Sequence, residues 1–189
     1  DVPIYLVNEK IVKEISDTET SQEIFAEVKN LSSEELPSIE APFLFLDAVQ
    51  DPGNVGTLIR TAAACGFEGV VLGKGTADAY NPKTLRSAQG STFHIRLFEG
   101  DLLQWIHHFK KQNVPVYGTA LHSEAVEYQN VPSSDKFALI VGNEGSGVAS
   151  DILDAVDKSL YIPIRGGAES LNVGIAAAVL MYHLYLPNS

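Results

Sequence analysis

The sequence predicts an α/β domain: a mostly parallel sheet with helices on both faces. Three observations lead there. From Pro42 onward, short and nearly continuous apolar runs recur, as strands buried on both faces require: FLFLDAV, GVVLG, FHIRLF, VPVYGTA, FALIVG and SLYIPI. Helical patterns opening near Asn54, Asn81, Asp101, Val148 and Ser170 separate these runs. With 45% hydrophobic and 20% charged residues and no repeats, the composition is that of a globular protein able to bury its own core.

The elements before Pro42 are weaker. IYLV (4–7) reads as a short strand, NEKIVKEI (8–15) as a helical turn or two, and QEIFAEVK (22–29) as another strand. Together they are too little to close a core. Because the sequence begins at Asp1, residues 1–30 are expected to be the C-terminal remnant of a longer module. Residues 31–41, polar, acidic and proline-bearing, read as a linker, and 42–189 as the main domain.

The first stretch that carries chemistry is DPGNVGTLIR. Pro52 and Gly53 force a turn and Asn54 is expected to cap the helix, whose apolar face comprises 55, 59, 62, 63 and 66. Arg60 lies off that face, among Gly56, Thr57, Ala63 and Ala64, small residues that let another body approach the backbone. It is either a solvated surface arginine or part of a site, because the carboxyl edge of an α/β sheet is where such folds bind ligands. The second stretch, FALIVGNEGSG, runs a strand into Gly142, Asn143, Glu144, Gly145, Ser146 and Gly147. Its glycine order, G-x-x-G-x-G, is neither the dinucleotide fingerprint nor a P-loop, and Glu144 favours a ligand with positive charge. A turn that serves only chain reversal is the other reading. In the third, IPIRGGAESLN, Ser170 is expected to cap a helix that is apolar nearly all round, hence buried in the core or packed on a partner subunit. Ser170 and Asn172 serve as caps or as site groups.

Lys83, Arg86, His94 and Arg96 form a basic stretch suited either to phosphate contacts or to a solvated face. The other histidines, His107, His108, His122 and His183, lack metal-ligand spacing, so no metal is expected. The single cysteine, Cys65, excludes a disulfide framework and reads as a small buried hydrophobe. No apolar run is long enough to span a membrane, and a cytoplasmic protein is expected. The net charge of −11 argues against nonspecific nucleic-acid binding, yet residues 1–40 hold three lysines against ten aspartates and glutamates. Most of the acid excess therefore lies ahead of the α/β region.

Taken together, N-x-G-x-x-x-R (Asn54, Gly56, Arg60), G-x-E-x-x-G (Gly142, Glu144, Gly147) and I-P-[MI]-x-G-x-x-x-S-L-N (Ile162 to Asn172) resemble, in order, the motifs of the SpoU (TrmH-like) class of SPOUT RNA methyltransferases. The resemblance covers roughly residues 42–186, and residues 1–30 look like the end of the small ribosomal-protein-like RNA-binding module that often precedes this domain. Gly174 stands where the family often has serine. The resemblance implies a C-terminal trefoil knot, a homodimer, and transfer of a methyl group from S-adenosylmethionine (AdoMet) to a ribose 2′-hydroxyl of rRNA or tRNA. It places the cofactor among Thr119, Ala120, Leu121, Gly142, Asn143, Glu144, Gly145, Ile162, Ile164, Ser170, Leu171 and Asn172. It makes Arg60, Asn54, Glu144, Ser170 and Asn172 the catalytic set, with Arg60, Lys83, Arg86 and His94 toward RNA. A non-catalytic AdoMet- or RNA-binding protein of the same fold is the alternative.

Arg60 is the residue the resemblance sets nearest the chemistry, often as general base. Bringing any guanidinium from about 12.5 down to about 7.5 costs roughly 7 kcal/mol. A fork that grips the target phosphate and polarises the 2′-oxygen is therefore the preferred role.

Overall fold

The computed structural model describes residues 2–16, 18, 20–29, 36–121 and 124–185, which fall into two compact units dividing at residues 31 and 32. In the first, α1 (Glu9–Ile15) forms where expected, capped by Asn8, whose side chain accepts from the N–H groups of Lys10 and Ile11. Residues 4–7 and 22–29, expected as strands, form none and pair with no strand among the described residues. The apolar side chains of Ile4, Leu6 and Ile24 stay exposed, and α1 buries none of its residues. An alternating pattern without a neighbouring strand leaves its ladder unmade. Residues 31–35 of the expected linker lie outside the described residues, as does His122.

The second unit holds seven strands: β1 (Phe43–Asp47), β2 (Gly69–Leu72), β3 (Arg96–Glu99), β4 (Val116–Thr119), β5 (Val126–Glu127), β6 (Ala138–Gly142) and β7 (Lys158–Tyr161). They form one sheet in the order β3-β2-β1-β6-β4-β7-β5, and every pairing is parallel. Strand alternation sorts β1 cleanly. Leu44 and Leu46 enter a core with the helices α2 (Pro52–Cys65) and α6 (Val173–Leu184), beside which α3 (Pro82–Ala88) packs. Phe43 and Phe45 enter the opposite core with α4 (Leu102–Lys111) and α5 (Ser150–Ala155), where they stack edge-on against Phe109. Helices thus cover both faces, as the near-continuous apolar strands foretold. Several strands are shorter than expected: Phe93, His94 and Ile95 of FHIRLF stay outside β3, β1 ends before Ala48 and β7 before Ile162; the two-residue β5 had no apolar run to announce it.

The small residues of α2 do admit other bodies. A Cβ on Gly56 would lie 2.4 Å from the Thr84 carbonyl oxygen and 2.5 Å from the Ser87 Cβ of α3. One on Gly174 of α6 would lie 3.1 Å from the Thr57 methyl. Gly66, expected on the apolar face, is instead the helix C-cap, with φ 85.

Candidate active site

The loops that leave β4, β6 and β7 at the carboxyl edge of the sheet enclose a cavity of about 630 Å³. Thr119, Ala120 and Leu121 form one wall, the Gly142–Gly147 loop a second, and the segment from Ile162 through Asn172 a third. All twelve residues expected around a cofactor line it. Pattern reading missed Val141, Val148, Leu160, Ala176 and Leu180, which close its apolar floor. They looked like core, and most are core as well. Chain direction was the available signal, since each follows or faces a strand's carboxyl end.

The glycine loop is shaped by Asn143. Its side-chain oxygen accepts from the N–H groups of Gly145 (2.9 Å) and Ser146 (3.1 Å), and its amide donates to the Ala48 carbonyl at 2.9 Å. The backbones of Asn143 and Gly147 exchange both hydrogen bonds, closing the loop on itself. Glycine is required at 142, because a Cβ there would fall 2.2 Å from the Gly147 carbonyl carbon and the Val148 nitrogen. The Asp47 carboxylate accepts from the Ala149 N–H at 2.7 Å and fixes the entry to α5, two residues later than the expected start at Val148.

Two expected caps are corrected. Asp51, not Asn54, caps α2: its carboxylate accepts from the Asn54 N–H at 2.9 Å, because the Pro52-Gly53 turn forms the helix's first residues. Asn172, not Ser170, caps α6, accepting from Gly174 and Ile175, while Ser170 is exposed on the cavity wall. Both corrections free a side chain. Asn54 lies inside the first turn, where its amide donates to Glu144 Oε1 at 3.0 Å and its oxygen accepts from Asn172 Nδ2 at 3.0 Å. One residue from each motif therefore joins a single chain, Glu144–Asn54–Asn172. Glu144 also accepts from the backbone N–H groups of Gln50 and Asp51, each at 3.2 Å. Burial pushes its carboxyl up; the bonds from Asn54, its own backbone, Gln50 and Asp51 outweigh that and hold it below the ordinary value.

Arg60 stands apart. It is exposed on α2, lines no part of the cavity, and makes no hydrogen bond or ion pair with any described residue. Lys83 is exposed but committed: its ammonium pairs with Asp51 at 2.7 Å, and that bond, ahead of the Asn54 N–H, holds the Asp51 carboxyl below its usual range. Arg86 and His94 are exposed on the same stretch; Arg96 bonds Glu68 (2.8 Å) and lies over the Phe98 ring. Cys65, expected to be buried, is only partly so: it packs against the edge of the core, and burial pushes its thiol up. Among the described residues no group of histidine, cysteine or acidic side chains is arranged to hold a metal, and no helix is long and apolar enough to cross a membrane.

Residues 41–182 match the model of the SpoU rRNA Methylase family, three-quarters of the sequence and every element of the cavity. The chain belongs to the SpoU family. Across 97% of its length, this SpoU chain is 51% identical to the 23S rRNA (guanosine(2553)-2′-O)-methyltransferase RlmP of Bacillus subtilis (strain 168), of which it covers 73%. Among solved structures, an AdoMet-bound rRNA methyltransferase from Sinorhizobium meliloti superposes with a TM-score of 0.81 at 30% identity, over 94% of this chain and 69% of that one. The SpoU methyltransferase AviRb from Streptomyces viridochromogenes, in complex with AdoMet, gives 0.70 at 27% identity over 78% and 60%. The second and third SpoU motifs supply two walls of the cavity, and the first meets them through Asn54.

Proposed function

We propose that this chain methylates the ribose 2′-hydroxyl of a guanosine in 23S rRNA, the reaction named for its B. subtilis relative. As a SpoU member it is an AdoMet-dependent RNA methyltransferase; the choice of RNA and nucleotide is the finer part of the proposal. The observation that carries it is the bonded chain Glu144–Asn54–Asn172, which ties the three motifs together at the rim of one cavity.

The cavity fits the cofactor. Ile162, Ile164 and Leu171 offer apolar walls to a flat ring, the glycine loop lets backbone approach closely, and Glu144 gives the rim a carboxylate suited to a cationic group. Bound AdoMet supplies an already activated methyl group, so the protein's task is alignment and the handling of one proton. Holding reactants in line supplies on the order of 7–11 kcal/mol. Asn54, fixed on both sides, orients the ribose; Ser170 and Asn172 order the adjoining wall; Arg60, uncommitted, grips the target phosphate and polarises the 2′-oxygen. Arg86 and His94 add phosphate contacts, and Lys83 joins them on release from Asp51. No metal takes part.

A second copy of the chain completes the enzyme. Ile175 and Tyr182, seven residues apart on α6, are 56% and 59% exposed on one helical face, an apolar surface that a homodimer would cover. The C-terminal part of the domain 42–189 forms a trefoil knot, residues 1–30 belong to a substrate-binding module joined through the linker 31–41, and the enzyme works in the cytoplasm.

The test is transfer of tritiated methyl from AdoMet to unmethylated 23S rRNA and tRNA transcripts. Label in 23S rRNA, lost when the target nucleotide is 2′-deoxy, supports the reading. Label confined to tRNA refutes the rRNA target, and AdoMet binding without transfer to either refutes the enzyme in favour of a binder.

A further inference from the structure

Most large apolar side chains exposed in residues 36–185 already have a place. Leu121 and Leu171 line the cavity, Ile175 and Tyr182 share the outer face of α6, and Leu36 and Leu103 keep more than half their surface covered. Phe93, 66% exposed, has none. It stands on the 3₁₀ turn Ser91–Phe93 between α3 and β3, with the buried Thr92 and Ile95 on either side.

The turn follows an ordinary helix cap: Gln89 closes α3 in the left-handed region at φ 51 and Gly90 follows at φ 83. The buried Thr92 hydroxyl has no hydrogen-bond partner among the described residues, a cost of the kind that gathers where function constrains the chain. Its surroundings indicate what it meets. Residues 79–98 contain no aspartate or glutamate in a chain of net charge −11, while Lys83, Arg86 and His94 are exposed there. The segment also runs alongside α2 in the same sense. Lys83 pairs with Asp51 at the helix entry, Ser87 and Ala88 close on Gly56, and the Ser91–Phe93 turn also touches α2. An exposed aromatic on a stretch that bears exposed Lys83, Arg86 and His94 suits stacking on a base between phosphate contacts.

We infer that Phe93 is a stacking platform for an unpaired RNA base flanking the methylated nucleotide. The inference rests on the RNA substrate proposed above. Its test is binding of the dimeric protein to unmethylated 23S rRNA and tRNA transcripts, with Phe93→Ala, Phe93→Leu and Phe93→Trp compared with wild type. Phe93→Ala is expected to weaken RNA binding about 5- to 150-fold, the value of one stacked base. AdoMet affinity and oligomeric state stay unchanged, Trp restores binding and Leu does not. Wild-type affinity in Phe93→Ala, full rescue by Leu, or dissociation of the dimer would each overturn the platform, the last by making Phe93 a subunit contact. RNA binding that depends on Phe93 without methyl transfer would sustain the platform and refute the enzyme; no binding by wild type to either RNA would refute both.

Discussion

Replacing Asn54 by alanine removes the middle of the chain that joins the three motifs. Asn172 Nδ2 loses its acceptor and Glu144 Oε1 loses a donor, each from a contact of 3.0 Å. A neutral hydrogen bond contributes about 0.5–1.5 kcal/mol and one to a charged group about 1.5–3 kcal/mol. The site is solvent-accessible, so water replaces part of both, and the low ends sum to about 2 kcal/mol. Alanine returns about 0.5 kcal/mol of helix propensity in the first turn of α2. The net loss is about 1.5 kcal/mol, and at this chain length it lowers Tm by about 3–6 °C. The assay is thermal unfolding beside calorimetric titration with AdoMet. In a double-mutant cycle, Asn54→Ala and Asn172→Ala should be coupled by about 0.5–1.5 kcal/mol. Asn54→Asp sharpens the test, because it sets a second carboxylate against Glu144. One of the two must then take a proton, so this variant's activity should rise relative to wild type as pH falls toward the carboxylate range. A Tm unchanged within 1 °C, with additive single mutants, would refute the bridge.

Gly142→Ala drives a Cβ to 2.2 Å from the Gly147 and Val148 backbone; a loss of about 3 kcal/mol is expected, with AdoMet affinity falling further than Tm predicts. Glu144 titrates below its ordinary value of 4.5 when folded, so its contribution to stability is present above that value and disappears as pH falls through the lowered one. Glu144→Gln should therefore flatten acid unfolding below about pH 4.5, measured by fluorescence; an unchanged acid limb would contradict it. Tyr182→Asp together with Ile175→Asp should convert a dimer to a monomer by light scattering, and a dimer that survives both would place the subunit contact elsewhere.

Apolar runs in the sequence placed six of the seven strands, and the Leu44 and Phe45 alternation sets the two cores because both sheet faces are covered. The cofactor wall was legible for a related reason: glycines and strand ends mark where backbone meets a ligand, and all twelve expected residues line the cavity. The caps were not. Asp51 and Asn54 both suit a cap, as do Ser170 and Asn172, and the choice turns on which neighbour each side chain reaches across the fold. The bond from Asn54 to Glu144 spans ninety residues, beyond any local pattern. Strands at 4–7 and 22–29 failed because a two-residue period describes a strand only when another strand lies beside it.

The central claim is tested most directly by locating the methyl group. A ribose 2′-O-methyl blocks attack on the adjoining phosphodiester, so alkali leaves that linkage intact. After transfer to 23S rRNA, the account predicts tritium in an alkali-resistant dinucleotide containing guanosine, abolished by Asn54→Ala with Arg60→Ala. Label released in mononucleotides would mean methylation of a base, and would contradict it.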